Sequence, residues 1–166
     1  EIYRMTISDG LTAVANVRAL HQFLDREVAR SRRYGRGLAL LMLDIDHFKS
    51  INDEFGHLTG DYVLREVAQL CNRRVRREEL FARYGGEEFV VVLPETTLDG
   101  AVTYAETLRA LIEGHTFTFE SNQVSVTVSI GVSTFQADMA GPKDLLRSAD
   151  ERLYQAKRSG RNRVTA

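Results

Sequence analysis

The sequence predicts an α/β domain of the α+β kind, built on a mixed, mainly antiparallel sheet flanked by helices. Three observations carry this. A continuous apolar run from Leu38 to Leu43 ends in the acids Asp44 and Asp46, the pattern of a strand buried on both faces. Two β-rich pairs follow, Leu80–Leu93 about Gly85-Gly86 and Thr116–Phe135, each reading as a hairpin. The remaining chain carries apolar residues at helical spacing. The order α, β, α, α, β, β, α, β, β, α, β joins adjacent hairpins to one β-α-β crossover. A ferredoxin-like core with an additional β-hairpin is its natural arrangement.

Each element has a local reason. Asn16 is a capping residue before a helix to about Tyr34, with Val17, Leu20, Phe23, Leu24 and Val28 as its stripe and Gly35 at its end. The buried strand leads into a short helix over His47–Asp53. A long helix runs from Thr59 to about Arg77, with Val63, Leu64, Val67, Leu70, Cys71 and Val75 inward. Gly85-Gly86 turns the first hairpin, and Pro94 closes its second strand. Thr97–Glu113 is helical, with Leu98, Val102, Ala105, Leu108 and Ile112 inward. Thr116–Glu120 pairs with Gln123–Phe135, whose Val124, Val126, Val128, Ile130 and Val132 alternate strictly. Pro142 opens the last helix, to about Ser159, where its missing N–H is harmless. Arg161–Thr165 reads as a short edge strand.

Composition bounds the function. The 166 residues read as one domain spanning 1–166, and the opening Glu1 as the start of a piece of a longer chain. Lys and Arg number 22 against 23 Asp and Glu, a formal net charge of −1, which excludes a globally basic nucleic-acid binder. The single cysteine, Cys71, excludes an intrachain disulfide and sits at a helical core position. The longest apolar run is far below the ~18 residues of a membrane span. A cytoplasmic domain without membrane contact of its own is the expectation, leaving open an anchor elsewhere in the parent chain.

The sequence contains no P-loop, dinucleotide fingerprint, nucleophile elbow or zinc spacing. His21, His47, His57 and His115 are too scattered for a metal cluster. Acids, however, gather around two features. Asp44 and Asp46 share one face where the buried strand emerges, and Glu87-Glu88 follow the Gly-Gly turn. If the two strands are neighbours, one of these glutamates meets Asp44. Carboxylates from two strand edges suit Mg²⁺, which takes one or two protein carboxylates and fills its shell with water and phosphate oxygens. Solvated strand-end acids are the plain alternative, and spacing alone does not decide between them.

Four segments in order resemble the motifs of the GGDEF family, the diguanylate cyclases. Arg83-Tyr-Gly-Gly-Glu-Glu-Phe89 is similar to the family's signature, and Asp44–Asp61 to its second long motif. Ala149–Val164 is similar to its C-terminal motif, and Asp9-Gly-Leu-Thr12 with Asn16 and Arg18 to its entry motif. The likeness spans about Asp9 to Val164.

The resemblance implies a palm-type core and an enzyme that condenses two GTP into cyclic di-GMP, releasing two pyrophosphates. It implies that Asp44, the Ile45 carbonyl and Glu87 bind two Mg²⁺ or Mn²⁺ ions, with Asp44, Glu87 and Lys49 catalytic. Asn52 and Asp61 match the guanine-binding positions. A carboxylate accepts guanine's N1–H and N2–H side by side, whereas adenine offers a bare N1 acceptor there. Lys49, Lys157 and Arg161 match positions that hold phosphates, and Phe48 and His57 lie in the same substrate segment. Each domain offers one nucleotide site and the product holds two nucleotides, so a two-fold homodimer is implied for catalysis. Members usually obtain it through an N-terminal regulatory region.

The chain departs from the family pattern at two places. Ala13 and Val17-Arg18 alter the entry motif, away from the metal site. The inhibitory R-x-x-D register gives Arg76-Arg-Glu-Glu79, with Glu79 where Asp is usual; the charge is kept but a methylene is added, and a solvated charged helix end is the plain alternative. The competing readings are a catalytically silent receptor of GTP or cyclic di-GMP, and a related cyclase making a mononucleotide.

Overall fold

A computed structural model describes residues 7–166. Helix α1 covers Val17–Tyr34; Asn16 Oδ1 accepts from the Ala19 N–H at 2.9 Å, and Gly35 ends it at φ 66°. Strand β1, Leu38–Ile45, is buried along its whole length. Two helices follow, α2 (Phe48–Phe55) and α3 (His57–Asn72), meeting at Gly56, whose φ of 93° suits glycine. Next come β2 (Leu80–Gly85), β3 (Glu88–Pro94), α4 (Leu98–Gly114), β4 (Phe117–Phe119), β5 (Asn122–Val124) and β6 (Val128–Thr134). Helix α5 (Pro142–Arg158) and the short β7 (Val164–Thr165) close the chain.

The main sheet has the order β2-β3-β1-β6-β7. All pairings are antiparallel except β6 with β7, which is parallel. The first four strands have the ferredoxin-like order with β1 central, as the element order predicts. Because side chains alternate, β1 serves two cores. Ala39, Leu41 and Leu43 join α3, α4 and the β4-β5 hairpin on one face. Leu38, Leu40 and Met42 join α1 and α5 on the other. Gly131 on β6 lets α5 lie on the sheet, because a Cβ there would sit 2.2 Å from the Ala149 carbonyl oxygen.

Several sequence boundaries change. The strand expected over Gln123–Phe135 is two: β5 pairs with β4, and β6 leaves that hairpin to pair with β1. Strict alternation does not reveal the break, since Val124, Val126 and Val128 all remain buried in one core. Helix α3 begins at His57 and stops at Asn72, five residues short of Arg77, leaving the exposed Arg73-Arg74 outside. Val17 and Leu98 lie at helix starts and stay exposed, and Ala101 packs inward on α4. The first hairpin turns on Gly86-Glu87, one residue later than the glycine pair suggests: Gly85 pairs with Glu88, with an irregularity between Arg83 and Gly85.

Candidate functional site

The shifted turn decides the acid geometry. Glu87 sits in the turn, and Glu88 becomes the first residue of β3, directly opposite Asp44 in the ladder. Directly opposed residues present side chains to the same face, so Asp44 and Glu88 share a face. Glu87 is tied to the same place through its backbone, its carbonyl accepting from the Ile45 N–H at 3.3 Å. Both opposed carboxyls are pushed above the ordinary range. For Asp44 the main cause is burial, resisted by Lys157 and reinforced by the charges of Glu87 and Asp46. For Glu88 the cause is again burial, followed by the charge of Asp44.

Lys157, from the last turn of α5, donates directly to Asp44 Oδ2. The resemblance matches Lys157 to a phosphate-holding position; the tertiary structure brings it to Asp44. Arg161 follows the helix in a left-handed conformation, φ 65°. Lys49 lies exposed in the first turn of α2, and His47 before it is left-handed at φ 55° without a side-chain cap.

Asn52 on α2 and Asp61 on α3, which the resemblance matches to guanine-binding positions, lie on neighbouring helices packed together at Gly60. A Cβ at Gly60 would lie 1.8 Å from Asn52 Oδ1 and 3.3 Å from the Phe48 ring. Asn52 Oδ1 is buried with no hydrogen-bond partner. Such an acceptor, left without a partner, costs about 1–3 kcal/mol. Phe48 and Phe55 pack against the adjacent core, while His57 is exposed at the first position of α3. Of the other histidines, His115 pairs with Glu66 at 2.9 Å.

Sequence reasoning missed the fastening of the turn. Asp9 accepts from the Thr12 N–H and hydroxyl at 2.9 and 2.7 Å and pairs with Arg83 at 3.2 Å. Arg83 in turn donates through Nε and Nη2 to the Gly86 carbonyl at 3.0 and 2.8 Å. The entry motif thereby holds the turn that carries Glu87. Burial pushes the Asp9 carboxyl up, but the Thr12 hydrogen bonds and Arg83 outweigh it and hold it below its ordinary value. The pairing of Asp9-x-x-Thr12 with a basic residue before Gly-Gly was the available clue.

Arg76 and Glu79 lie apart from the acids, in a groove also lined by Arg73, Arg74, Tyr104 and Thr107. Glu79 is engaged locally: its Oε1 accepts from the Arg76 N–H at 2.9 Å, and its own N–H donates to the Arg76 carbonyl at 3.0 Å. Cys71 is a buried core residue, its thiol pushed up to about 12 by burial.

Metal chemistry is compatible with this donor set. Among the described residues no group of three or more His, Cys, Asp or Glu side chains converges to hold an ion alone. Mg²⁺ needs no such group, because one or two carboxylates with a carbonyl, water and phosphate oxygens complete its shell. The burial and neighbouring negative charges that raise Asp44 and Glu88 are what a divalent cation relieves. No helix among the described residues is long and apolar enough to cross a membrane.

Fold and site together define a ferredoxin-like domain with an acidic strand-end centre contacted by Lys157. The family described as diguanylate cyclase, GGDEF domain, matches residues 6–163, and this chain belongs to it. It is 46% identical over 158 residues to diguanylate cyclase DgcP of Pseudomonas aeruginosa, covering 95% of this chain and 23% of that protein. It is 45% identical over 162 residues to response regulator PleD of Caulobacter vibrioides, covering 96% of this chain and 36% of that protein. The chain thus spans about a quarter to a third of the length of these relatives. The coiled coil and GGDEF domain of DgcB from Caulobacter crescentus, solved in complex with c-di-GMP, matches with a TM-score of 0.95. Its sequence identity is 36%, over 99% of this chain and 87% of that one.

Proposed function

We propose that this domain condenses two GTP molecules into cyclic di-GMP as one half of a two-fold homodimer. The observation that carries the reading is the pairing of Asp44 with Glu88 at the end of β1, beside the turn that holds Glu87, with Lys157 donating to Asp44. In each of two equivalent steps the 3′-hydroxyl of one nucleotide attacks the α-phosphorus of the other. A new phosphoester forms, pyrophosphate leaves and the hydroxyl proton is released. Asp44, the Ile45 carbonyl and Glu87 would hold Mg²⁺ or Mn²⁺, two ions per site, with Glu88 beside them. The ions, when bound, acidify the hydroxyl and neutralise charge on the pyrophosphate.

The chain's own residues bind and orient. Lys49 and Lys157 hold phosphates as point charges, and Arg161 as a fork. Lys157 donates to Asp44, and it would be available to phosphate oxygens where a cation neutralised that carboxylate. Asp61 and Asn52 read the guanine edge, and the unpaired Asn52 Oδ1 supports this role. Phe48 and His57 border the same segment. Because each domain supplies one nucleotide site, two copies face each other during turnover. Arg76 and Glu79 form the candidate product-inhibition site. Glu79 Oε1 is engaged in its own turn, and the exposed Arg76 is the residue of this pair left to meet the product.

Product analysis tests the proposal. Concentrated protein with GTP and Mg²⁺ or Mn²⁺ should yield cyclic di-GMP, at a rate rising faster than linearly with protein concentration. Absence of product even after fusion to a dimerisation module would move the reading to a silent receptor of GTP or cyclic di-GMP.

A further inference from the structure

One buried acid is left unused by this account. Asp46 is 5% exposed, close to Asp44 in sequence but committed elsewhere. It accepts from Thr127 Oγ1 at 2.8 Å, Ser129 Oγ at 2.7 Å and the Asn162 backbone N–H at 3.0 Å. The last bond is the informative one, because Asn162 lies in the turn after α5, beside Arg161. Both residues are left-handed, at φ 65° and 47°. Two consecutive non-glycine residues hold that conformation only where their surroundings over-determine it.

Those surroundings are specific. The Arg161 N–H donates to the Ala156 carbonyl at 3.0 Å, which ties the turn to its own helix. The Asn162 side chain ties it to α4: Nδ2 donates to Glu113 at 2.6 Å, and Oδ1 accepts from Arg109 at 3.0 Å. The Asn162 amide and then Arg109 hold the exposed Glu113 carboxyl below its ordinary range. The turn is therefore fastened to the end of β1 on one side and to α4 on the other, with Arg161 between.

We propose that Asp46 and Asn162 are positioning residues, a latch that sets Arg161 for the nucleotide's phosphates. The inference rests on the phosphate-holding role given to Arg161 above. Asp46 thus divides labour with Asp44: one serves the cation side of the site, the other the arrangement of its basic side.

The test is equilibrium binding by titration calorimetry, with α,β-methylene-GTP and with GMP, both with Mg²⁺. Asp46→Ala strips three donors of a buried acceptor and is expected to disrupt folding, so the test uses Asn162→Ala, at a half-buried position, and the conservative Asp46→Asn. Asn162→Ala should weaken the triphosphate analogue about 10-fold while leaving GMP within about two-fold, the scale of loss for outer-layer hydrogen bonds at such sites. In an Arg161→Ala background it should weaken the analogue no further, because both changes remove one interaction. Asp46→Asn, which keeps an acceptor oxygen for the Asn162 N–H, should stay closer to the unsubstituted protein. The latch is overturned if Asn162→Ala binds the analogue normally, weakens both ligands equally, or adds its full effect to Arg161→Ala. Failure of the parent reading looks different: the unsubstituted protein would bind the analogue no more tightly than GMP, which overturns the latch as well.

Discussion

Asp44 and Glu88 stand directly opposite each other in the β1–β3 ladder, and burial raises both carboxyls above the ordinary range. A raised acid binds its proton more tightly in the folded state than in the unfolded chain. Its favourable contribution is therefore fully present below the unfolded pKa and is lost as pH rises through the folded one. At neutral pH the metal-free domain carries this pair as a cost. Asp44→Asn and Glu88→Gln should each raise the neutral-pH melting temperature of the metal-free domain, by about 2–4 °C per kcal/mol recovered, while reducing turnover. Mg²⁺ or Mn²⁺ with nucleotide should raise the melting temperature of the unsubstituted protein more than that of either variant. Calorimetry between pH 4 and 8 checks the sign.

Glu87 lies in the turn and not in the strand, so its side chain is not part of a packed ladder. Glu87→Gln should abolish cyclic di-GMP formation and leave the melting temperature within about 2 °C, since such a substitution away from packed features costs under about 0.5 kcal/mol. Unchanged turnover would remove Glu87 from the metal site.

Asp61 and the Asn52–Gly60 contact predict a paired outcome. Asp61→Ser should lower the preference for GTP over ATP by about 10²-fold or more, because a site that accepts hydrogen bonds from a substrate discriminates strongly against one lacking the donors. Gly60→Ala places a Cβ 1.8 Å from Asn52 Oδ1 and should weaken GTP binding by displacing Asn52, with the phosphate contacts intact. Competition between GTP and ATP in a binding assay measures both.

Asp9 gives the opposite pH behaviour to Asp44. Its carboxyl lies below the ordinary value, so its contribution is present above the unfolded pKa and fades as pH falls through the folded one. Asp9→Ala should cost about 1–3 kcal/mol at pH 7, the usual loss when a hydrogen-bonded ionic partner is removed. The difference from the unsubstituted protein should shrink toward pH 3. Turnover should also fall, because Arg83 loses the partner that orients it on the Gly86 carbonyl.

Arg76 is an exposed cation of the groove, with Arg73 and Arg74 beside it, and Glu79 is tied into its own turn. Arg76→Ala should right-shift inhibition by added cyclic di-GMP, whereas Glu79→Ala should do so less. An inhibition curve unmoved by Arg76→Ala would show that this groove does not take the product.

Much of the molecule was legible because it is written in local spacing. An apolar run ending in Asp44 defines a buried strand, Asn16 and Gly35 bracket a helix, and Pro142 opens another, each from its own few residues. The motif resemblance likewise marked Asp44, Asn52, Asp61, Glu87, Lys157 and Arg161 without any fold. Those signals are contiguous, and contiguous signals survive the absence of tertiary information.

What only the tertiary structure decided is relative position. Alternation cannot say that β6 leaves its hairpin for β1, because the same residues satisfy either pairing. The turn's one-residue displacement, which puts Glu88 and not Glu87 across from Asp44, arises from a strand irregularity that propensity does not encode. Lys157 reaches Asp44 from 113 residues away, and Asn162 reaches Asp46 from 116. The sequence by itself determined the local elements and marked the candidate side chains for the chemistry. Which of them meet was decided by the packing of α5 against Gly131 and the register of β1 with its neighbours, since hydrogen bonds and charges act over a few ångströms of space whatever their separation along the chain.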